Sequence, residues 1–358
     1  MTFLVDLKSL VECESPSDDL AACTAVIELA AQIAELRLGT TGKIFQEKGR
    51  PVFWWGADNP EVVLLAHLDT VWPVGSFQPT WKITGDELSG PGTFDMKVGF
   101  LQALYAIIDI PDVARKVAII ATTDEELGSQ TSKELIQKVA ATSKAVLVLE
   151  AAVDGKVKTG RKGTAMYRIS VTGRAAHAGL EPEKGINATA EIAAIVIQVL
   201  QLENPETGTT VVPTTMSSGT TTNTVPALAT LDVDIRSFSK DELVRVDKAI
   251  HSLSAQHPEA SISISGGINR PPLELSSTLD LYNRLELVAA AIGMEPIGHA
   301  AVGGASDGNF AAAAGAKVLD GLGAVGAGAH APHEHVLLSS IPHRITLLNA
   351  FIKELIRD

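Results

Sequence analysis

Two rhythms of apolar residues run along this chain and divide it. Residues 2–12 and 18–38 repeat at helical spacing, the longer stretch through Leu20, Ala21, Val26, Ile27, Ala30, Ile33, Ala34 and Leu36. Ser15-Pro16-Ser17 breaks the two helices apart and offers an N-cap. Strands are predicted at 43–47 and 51–56, followed by three short, continuous apolar runs at 62–66, 117–121 and 145–149. Such runs mark strands buried on both faces of a parallel sheet. A helix is predicted at 96–108, with Leu101, Leu104, Tyr105 and Ile108 on its apolar face.

After residue 163 the texture changes. Positions 164–173 alternate polar and apolar, as in a strand with one wet face. A helix at 188–202, strands at 209–215 and 227–236, a helix at 240–256 and a strand at 261–265 come next. That order is a split βαβ layout. Pro271-Pro272 marks the return to a helix at 277–292, a strand at 317–320 and a last helix from about 341. The pattern predicts an α/β domain of residues 1–162 and 269–358, interrupted by a smaller α+β domain at 163–268.

Chemistry in open α/β sheets gathers at the carboxyl ends of the strands. The first buried run ends in His67-Leu68-Asp69, the second leads into Asp124-Glu125-Glu126, and the third ends in Glu150. Residues two apart on extended backbone point the same way, so Asp69 can fix the tautomer of His67. A strand-end histidine with a capping aspartate would read alike. Asp95 falls at the start of the 96–108 helix, where capping alone would account for it. Yet carboxylates rarely stand at buried strand ends without a partner. With the histidine cluster His330-Ala331-Pro332-His333-Glu334-His335 the set has more donors than one tetrahedral ion takes. It suits two divalent ions sharing a bridging carboxylate. If the segment is extended, Glu125 and Glu126 point to opposite sides, so that one binds metal and the other takes a proton from water.

At 358 residues the chain is long enough for two domains. A net charge of −13 argues against a nucleic-acid partner and suits divalent cations. Cys13 and Cys23 form neither a disulfide framework nor a zinc ribbon. No basic segment precedes an apolar core at the start, and no stretch reaches the ~18–20 apolar residues that span a bilayer. The expectation is a cytoplasmic protein with no membrane partner. Gly321-Leu322-Gly323-Ala324-Val325-Gly326 fits a dinucleotide-binding fingerprint, but the next residues, Ala327-Gly328-Ala329-His330-Ala331-Pro332-His333, cannot start the required helix.

Five stretches carry a resemblance: His67-Leu68-Asp69-Thr70-Val71, Gly90-Pro91-Gly92-Thr93-Phe94-Asp95-Met96-Lys97, Thr123-Asp124-Glu125-Glu126-Leu127-Gly128-Ser129, Gly173-Arg174-Ala175-Ala176-His177-Ala178-Gly179 and His330-Ala331-Pro332-His333-Glu334. In order and spacing the chain resembles the M20 metallopeptidases. The glutamate carboxypeptidase (carboxypeptidase G2-like) branch fits it, within a group that includes acetylornithine deacetylase and succinyl-diaminopimelate desuccinylase. The resemblance implies a zinc-exopeptidase-like α/β/α catalytic domain with an inserted ferredoxin-like lid that pairs two subunits. It implies two Zn²⁺ ions, or Co²⁺ or Mn²⁺, one on His67, Asp95 and Glu150, the other on Asp95, Glu126 and His330. Glu125 is then the general base and Asp69 orients His67. The family's final motif reads His-x-x-Asn-Glu; here His333 replaces the Asn, which leaves its role open. His177, Asn223 and Arg236 match lid positions that touch substrate, with His177 serving the partner subunit. Gly304 and Ser306 lie in the substrate-facing loop, and Arg161-Lys162-Gly163 at the hinge.

The implied activity is cleavage of the amide bond of small peptides or N-acyl amino acids with a free C-terminal carboxylate. An N-acyl-amino-acid deacylase using the same machinery is the nearest alternative. A metal-binding interaction protein without catalysis is a second, from another class. The aminopeptidase branch tends to carry Asp where this chain has Glu150.

Overall fold

In the computed structural model, which describes residues 2–357, every residue of the strand Val62–His67 is buried. It lies between Val117–Thr122 and Ala145–Val148 and runs parallel to both. Val318–Leu319 extends the sheet in parallel beyond Ala145–Val148. On the other side Arg50–Gly56 pairs antiparallel with Val117–Thr122, and Lys43–Glu47 closes the edge. The chain passes from the central strand to one neighbour, then crosses to the other. The carboxyl end of Val62–His67 is therefore a topological switch point, where open α/β sheets place their sites.

Alternation along the strands assigns the two faces. Val62, Leu64, Ala66, Val117, Ile119 and Ala121 share one core with the helices Thr2–Glu12, Leu20–Leu38, Val98–Ala106, Leu275–Ala291 and Ser340–Leu355. Val63, Leu65, Ala118 and Ile120 are equally buried and point the other way. Both faces are covered, as the unbroken apolar runs require. Among the described residues no helix is long and apolar enough to cross a membrane.

Several elements depart from the sequence reading. The N-cap of Leu20–Leu38 is Asp19, whose carboxylate accepts the Ala21 and Ala22 N–H groups at 2.9 and 3.0 Å. Ser15 and Ser17 are instead buried. The regular helix after Asp95 spans only Val98–Ala106, preceded by an irregular turn in which Asp95 has φ −122° and ψ 90°. Two short helices, Lys133–Ala140 and Asp307–Ala313, carry no expectation from the sequence.

Chain contacts divide the molecule after Gly160 and after Leu273, and group Gly303–Ala305 with the second unit. The ends of that unit are joined by reciprocal backbone hydrogen bonds between Arg161 and Leu273, both 3.0 Å, so its limits lie outside the 163 and 268 read from the sequence. Within it, Gly163–Thr172, Thr210–Ser218, Leu228–Ser237 and Ser261–Arg270 form one antiparallel sheet. The helices Ala188–Leu200 and Lys240–His251 cover one face through Ile192, Ile195, Val199, Leu243, Val246 and Ile250. The strand order is second, third, first, fourth, which is the split βαβ topology.

Candidate active site

His67 ends the central strand, and its ring is wrapped by carboxylates. Nδ1 lies 3.1 Å from the Asp69 carbonyl oxygen and 3.4 Å from Asp69 Oδ1. Nε2 lies 3.2 Å from Asp95 Oδ1 and 3.6 Å from Glu150 Oε1. The other Asp95 oxygen is 3.4 Å from His330 Nε2, which stands 3.0 Å from Glu126 Oε1. Donor atoms of His67, Asp95 and Glu126 lie within 4.8 Å of one another, and so do those of His67, Glu125 and Glu150. The residues from three strand ends, one loop and the last motif thus meet in one cluster.

Asp95 does not cap a helix; its carboxylate faces the two imidazoles. The loop that holds it is fixed by Glu334, which is almost fully buried. Glu334 Oε1 accepts the Phe94 and Asp95 N–H groups at 2.9 and 3.2 Å, and Oε2 accepts the Trp72 indole at 2.8 Å. His330 sits in a tight turn with a left-handed φ of 61°. At Gly328 beside it, an added Cβ would fall 2.9 Å from the Glu334 backbone, so only glycine fits.

Glu125 and Glu126 are not extended as expected but form a single 3-10 turn, Glu125–Leu127. The Asp124 carboxylate folds this loop by accepting the Thr131 and Ser132 N–H groups at 2.7 and 3.2 Å. Thr122 and Ser129, on either side of it, both hydrogen-bond the buried Asp307.

Electrostatics explain what the cluster wants. Burial alone would push the His67 imidazole towards its neutral form, but the carboxylates of Asp69, Asp95 and Glu150 crowded around the ring outweigh it and raise its pKa well above 6.5. Hydrogen bonds to Asp95 and then Glu126 raise that of His330 to about 10. Burial would raise Asp95, yet hydrogen bonds to the two imidazoles hold it below the ordinary carboxylate range. Burial, reinforced by the charge of Asp95, raises Glu126. The protonated imidazoles therefore compensate crowded carboxylates, a task a divalent cation performs better. Cation uptake would release those protons.

The donor set fits such ions. Atoms bound about 2.0–2.1 Å from a tetrahedral zinc lie roughly 3.3 Å apart. The His–carboxylate separations of 3.0 to 3.6 Å bracket that spacing. A half-exposed His330 leaves one side of the cluster open. His333 is exposed, and its carbonyl accepts from the His335 ring.

The second unit carries the remaining sequence-predicted residues except Ser306. Exposed His177 pairs with Thr224 in a β-bridge, and the Ala178 N–H donates to the Asn223 carbonyl at 2.9 Å, which brings His177 beside Asn223. His177 Nδ1 accepts the Gly179 N–H at 3.1 Å. That places the proton of the neutral ring on Nε2. Arg236 grips Asp234, two residues earlier on the same strand face, at 2.9 and 3.3 Å. Arg161 donates to the Gly304 and Ala305 carbonyls, both at 3.2 Å.

Ser306, in the first unit, is fully buried: its hydroxyl donates to Asp320 at 2.6 Å and accepts the Gly308 N–H as a helix cap. Glu334 and Ser17 are residues that sequence reasoning passed over, the first inside a motif already quoted, the second taken for a helix cap.

Comparison with known proteins gives the family and the fold. Residues 63–354 match the model of peptidase family M20/M25/M40. Carboxypeptidase G2 of Pseudomonas sp. (strain RS-16) is 29% identical over 314 residues, covering 84% of this chain and 75% of that protein. A succinyl-diaminopimelate desuccinylase of Sulfurovum sp. (strain NBC37-1) is 24% identical over 319 residues, covering 83% and 84%. Among solved structures, aminopeptidase PepT from Bacillus cereus has a TM-score of 0.81 at 20% identity, covering 99% of this chain and 98% of that one. The M20 family metallo-carboxypeptidase Sso-CP2 from Sulfolobus solfataricus has a TM-score of 0.72 at 17% identity, covering 99% of each. At such identities structural likeness speaks for the fold alone. The family match spans most of the chain, and it makes the protein a hydrolase of the metallopeptidase class: the chain belongs to peptidase family M20/M25/M40.

Proposed function

We propose that the protein cleaves the amide bond of small peptides or N-acyl amino acids that carry a free C-terminal carboxylate, as a glutamate carboxypeptidase does. One observation carries the reading: the two oxygens of Asp95 face two different imidazoles, His67 at 3.2 Å and His330 at 3.4 Å. A carboxylate so placed suits a bridge between two ions. His67, Asp95 and Glu150 would hold one, and Asp95, Glu126 and His330 the other. Histidine and carboxylate donors favour Zn²⁺, with Co²⁺ or Mn²⁺ as substitutes.

When bound, the ions supply Lewis-acid activation of water and of the scissile carbonyl. The chain's own groups do the rest. Asp69 keeps a proton on His67 Nδ1, so that Nε2 presents its lone pair. Glu125 accepts the proton of the attacking water and delivers it to the leaving amine. Arg236 exchanges Asp234 for the substrate carboxylate, which its planar fork can bind through both oxygens. Asn223 and the backbone of the Gly304 loop position the substrate. His177 donates from Nε2 to the developing oxyanion, in the active site of a partner subunit within a homodimer built through the inserted domain.

An N-acyl-amino-acid deacylase of the acetylornithine deacetylase kind is the second reading, and the likeness to a desuccinylase favours it. Metal-dependent turnover of any such compound would exclude a non-catalytic role. The test is a screen of metal-stripped protein, reconstituted with Zn²⁺, Co²⁺ or Mn²⁺, against N-acyl glutamates, other N-acyl amino acids, dipeptides and their C-terminal amides. Metal-dependent release of the free amino acid, lost with the amides, is expected. Equal turnover of the amides, or none of any substrate, would overturn the reading.

A further inference from the structure

We infer that Ser17 is a positioning residue for the metal centre, acting through Asp69. The inference rests on the metal site proposed above. Asp69 is completely buried. Its Oδ2 accepts two hydrogen bonds, from Ser17 Oγ at 2.7 Å and from the Glu126 N–H at 3.2 Å. Its Oδ1 has no hydrogen bond of ordinary length among the described residues and stands 3.4 Å from His67 Nδ1. One oxygen is anchored and the other is aimed.

A serine hydroxyl has a single proton to give. Ser17 Oγ has two acceptors within reach, the Asp69 carboxylate at 2.7 Å and the Thr70 carbonyl at 3.2 Å. The shorter, charge-assisted bond wins. The Asp69 carboxylate then holds the Glu126 N–H on one oxygen and sets the other 3.4 Å from His67 Nδ1, whose hydrogen bond goes to the Asp69 carbonyl at 3.1 Å. Glu126 and His67 belong to different ions in the proposed site. Ser17 fixes the carboxylate that does both.

Ser17 is itself held from several directions. Its N–H donates to the Thr70 carbonyl at 3.1 Å, and the Thr70 N–H donates to the Ser15 carbonyl at 2.8 Å. Ser15 Oγ donates to the Leu68 carbonyl at 2.6 Å. Arg50 bridges the Ser17 and Thr123 carbonyls at 2.8 and 2.7 Å. Three segments far apart in sequence, around Ser17, Asp69 and Thr123, are thus locked together beneath the cluster. Such effort on a loop that caps no helix points to a role in aiming Asp69.

The experiment is zinc binding to metal-stripped protein, read by competition with a chromophoric chelator. Partners behind a ligating histidine cost about ten- to a hundredfold in metal affinity when removed. Ser17→Ala, one contact further from the ion than Asp69, should lose several-fold, less than Asp69→Asn. Ser17→Thr, which keeps the hydroxyl, should bind like wild type. In an Asp69→Asn background the Ser17→Ala change should add little, because coupled partners are not additive. The unfolding temperature of the metal-free variants reports general damage separately. Should the alanine variant fail to fold, Ser17→Cys, near in size and a weak donor, is read the same way. Undiminished affinity in Ser17→Ala, or an equal loss with and without Asp69, overturns the inference. A wild-type protein that takes up no zinc overturns the metal reading and this inference together.

Discussion

The Asp95 N–H donates to Glu334 Oε1 at 3.2 Å, across 239 residues of sequence. Glu334 also accepts from Phe94 and from Trp72, so one buried carboxylate holds the loop that presents Asp95 to both imidazoles. In Glu334→Gln an amide NH₂ must replace one acceptor oxygen and face a donor. A buried donor left unsatisfied costs about 1–3 kcal/mol. The variant should unfold at a lower temperature and retain less metal per chain. Wild-type values in both would mean that the loop holds itself.

The last motif offers two histidines, and only one reaches the cluster. His330 Nε2 is 3.0 Å from Glu126 and 3.4 Å from Asp95, whereas His333 is exposed. His330→Ala should therefore lower metal content far more than His333→Ala, measured by elemental analysis of dialysed protein. The reverse order would shift the assignment to His333.

Arg236 is paired with Asp234 in the protein as it stands. In the proposed site substrate would displace that partner, so the contact would tune affinity rather than chemistry. Arg236→Ala should raise KM for substrates with a free carboxylate, by roughly ten- to a hundredfold for a charge-assisted contact worth about 1.5–3 kcal/mol. Amidated substrates should be little affected. An equal change in both classes would remove Arg236 from the substrate site.

The trans role proposed for His177 has its own signature. His177→Ala and Glu125→Gln homodimers should each be nearly inactive. After mixing and random exchange, half the dimers carry one intact site, so about a quarter of wild-type activity should return. If His177 serves its own subunit, or if the protein is a monomer, nothing returns.

The range of each interaction decided whether the sequence disclosed it. The strand ends bearing His67 and Glu150 were legible because a strand buried on both faces leaves an unbroken apolar run. The split βαβ order of the second unit was legible because one wet face leaves an alternation. The backbone at Asp95 was not, since its shape is imposed by Glu334 from the far end of the chain. Glu125 and Glu126 looked extended because adjacency says nothing of a turn that Asp124 folds through Thr131 and Ser132. Ser17 looked like a cap because a serine after a proline often is one. Its actual partner, Asp69, is 52 residues away. The helix Asp307–Ala313 had no visible period, being almost all small residues.

The central claim is that Glu125 moves the proton while its neighbours hold the ions. Glu125→Gln keeps the shape and removes only the base, and measuring its turnover and metal content on one preparation separates the two roles. The account predicts two metal ions per chain, as in wild type, with kcat lower by about 10²–10⁴ or more. A variant that keeps its metals and turns over at the wild-type rate would contradict it.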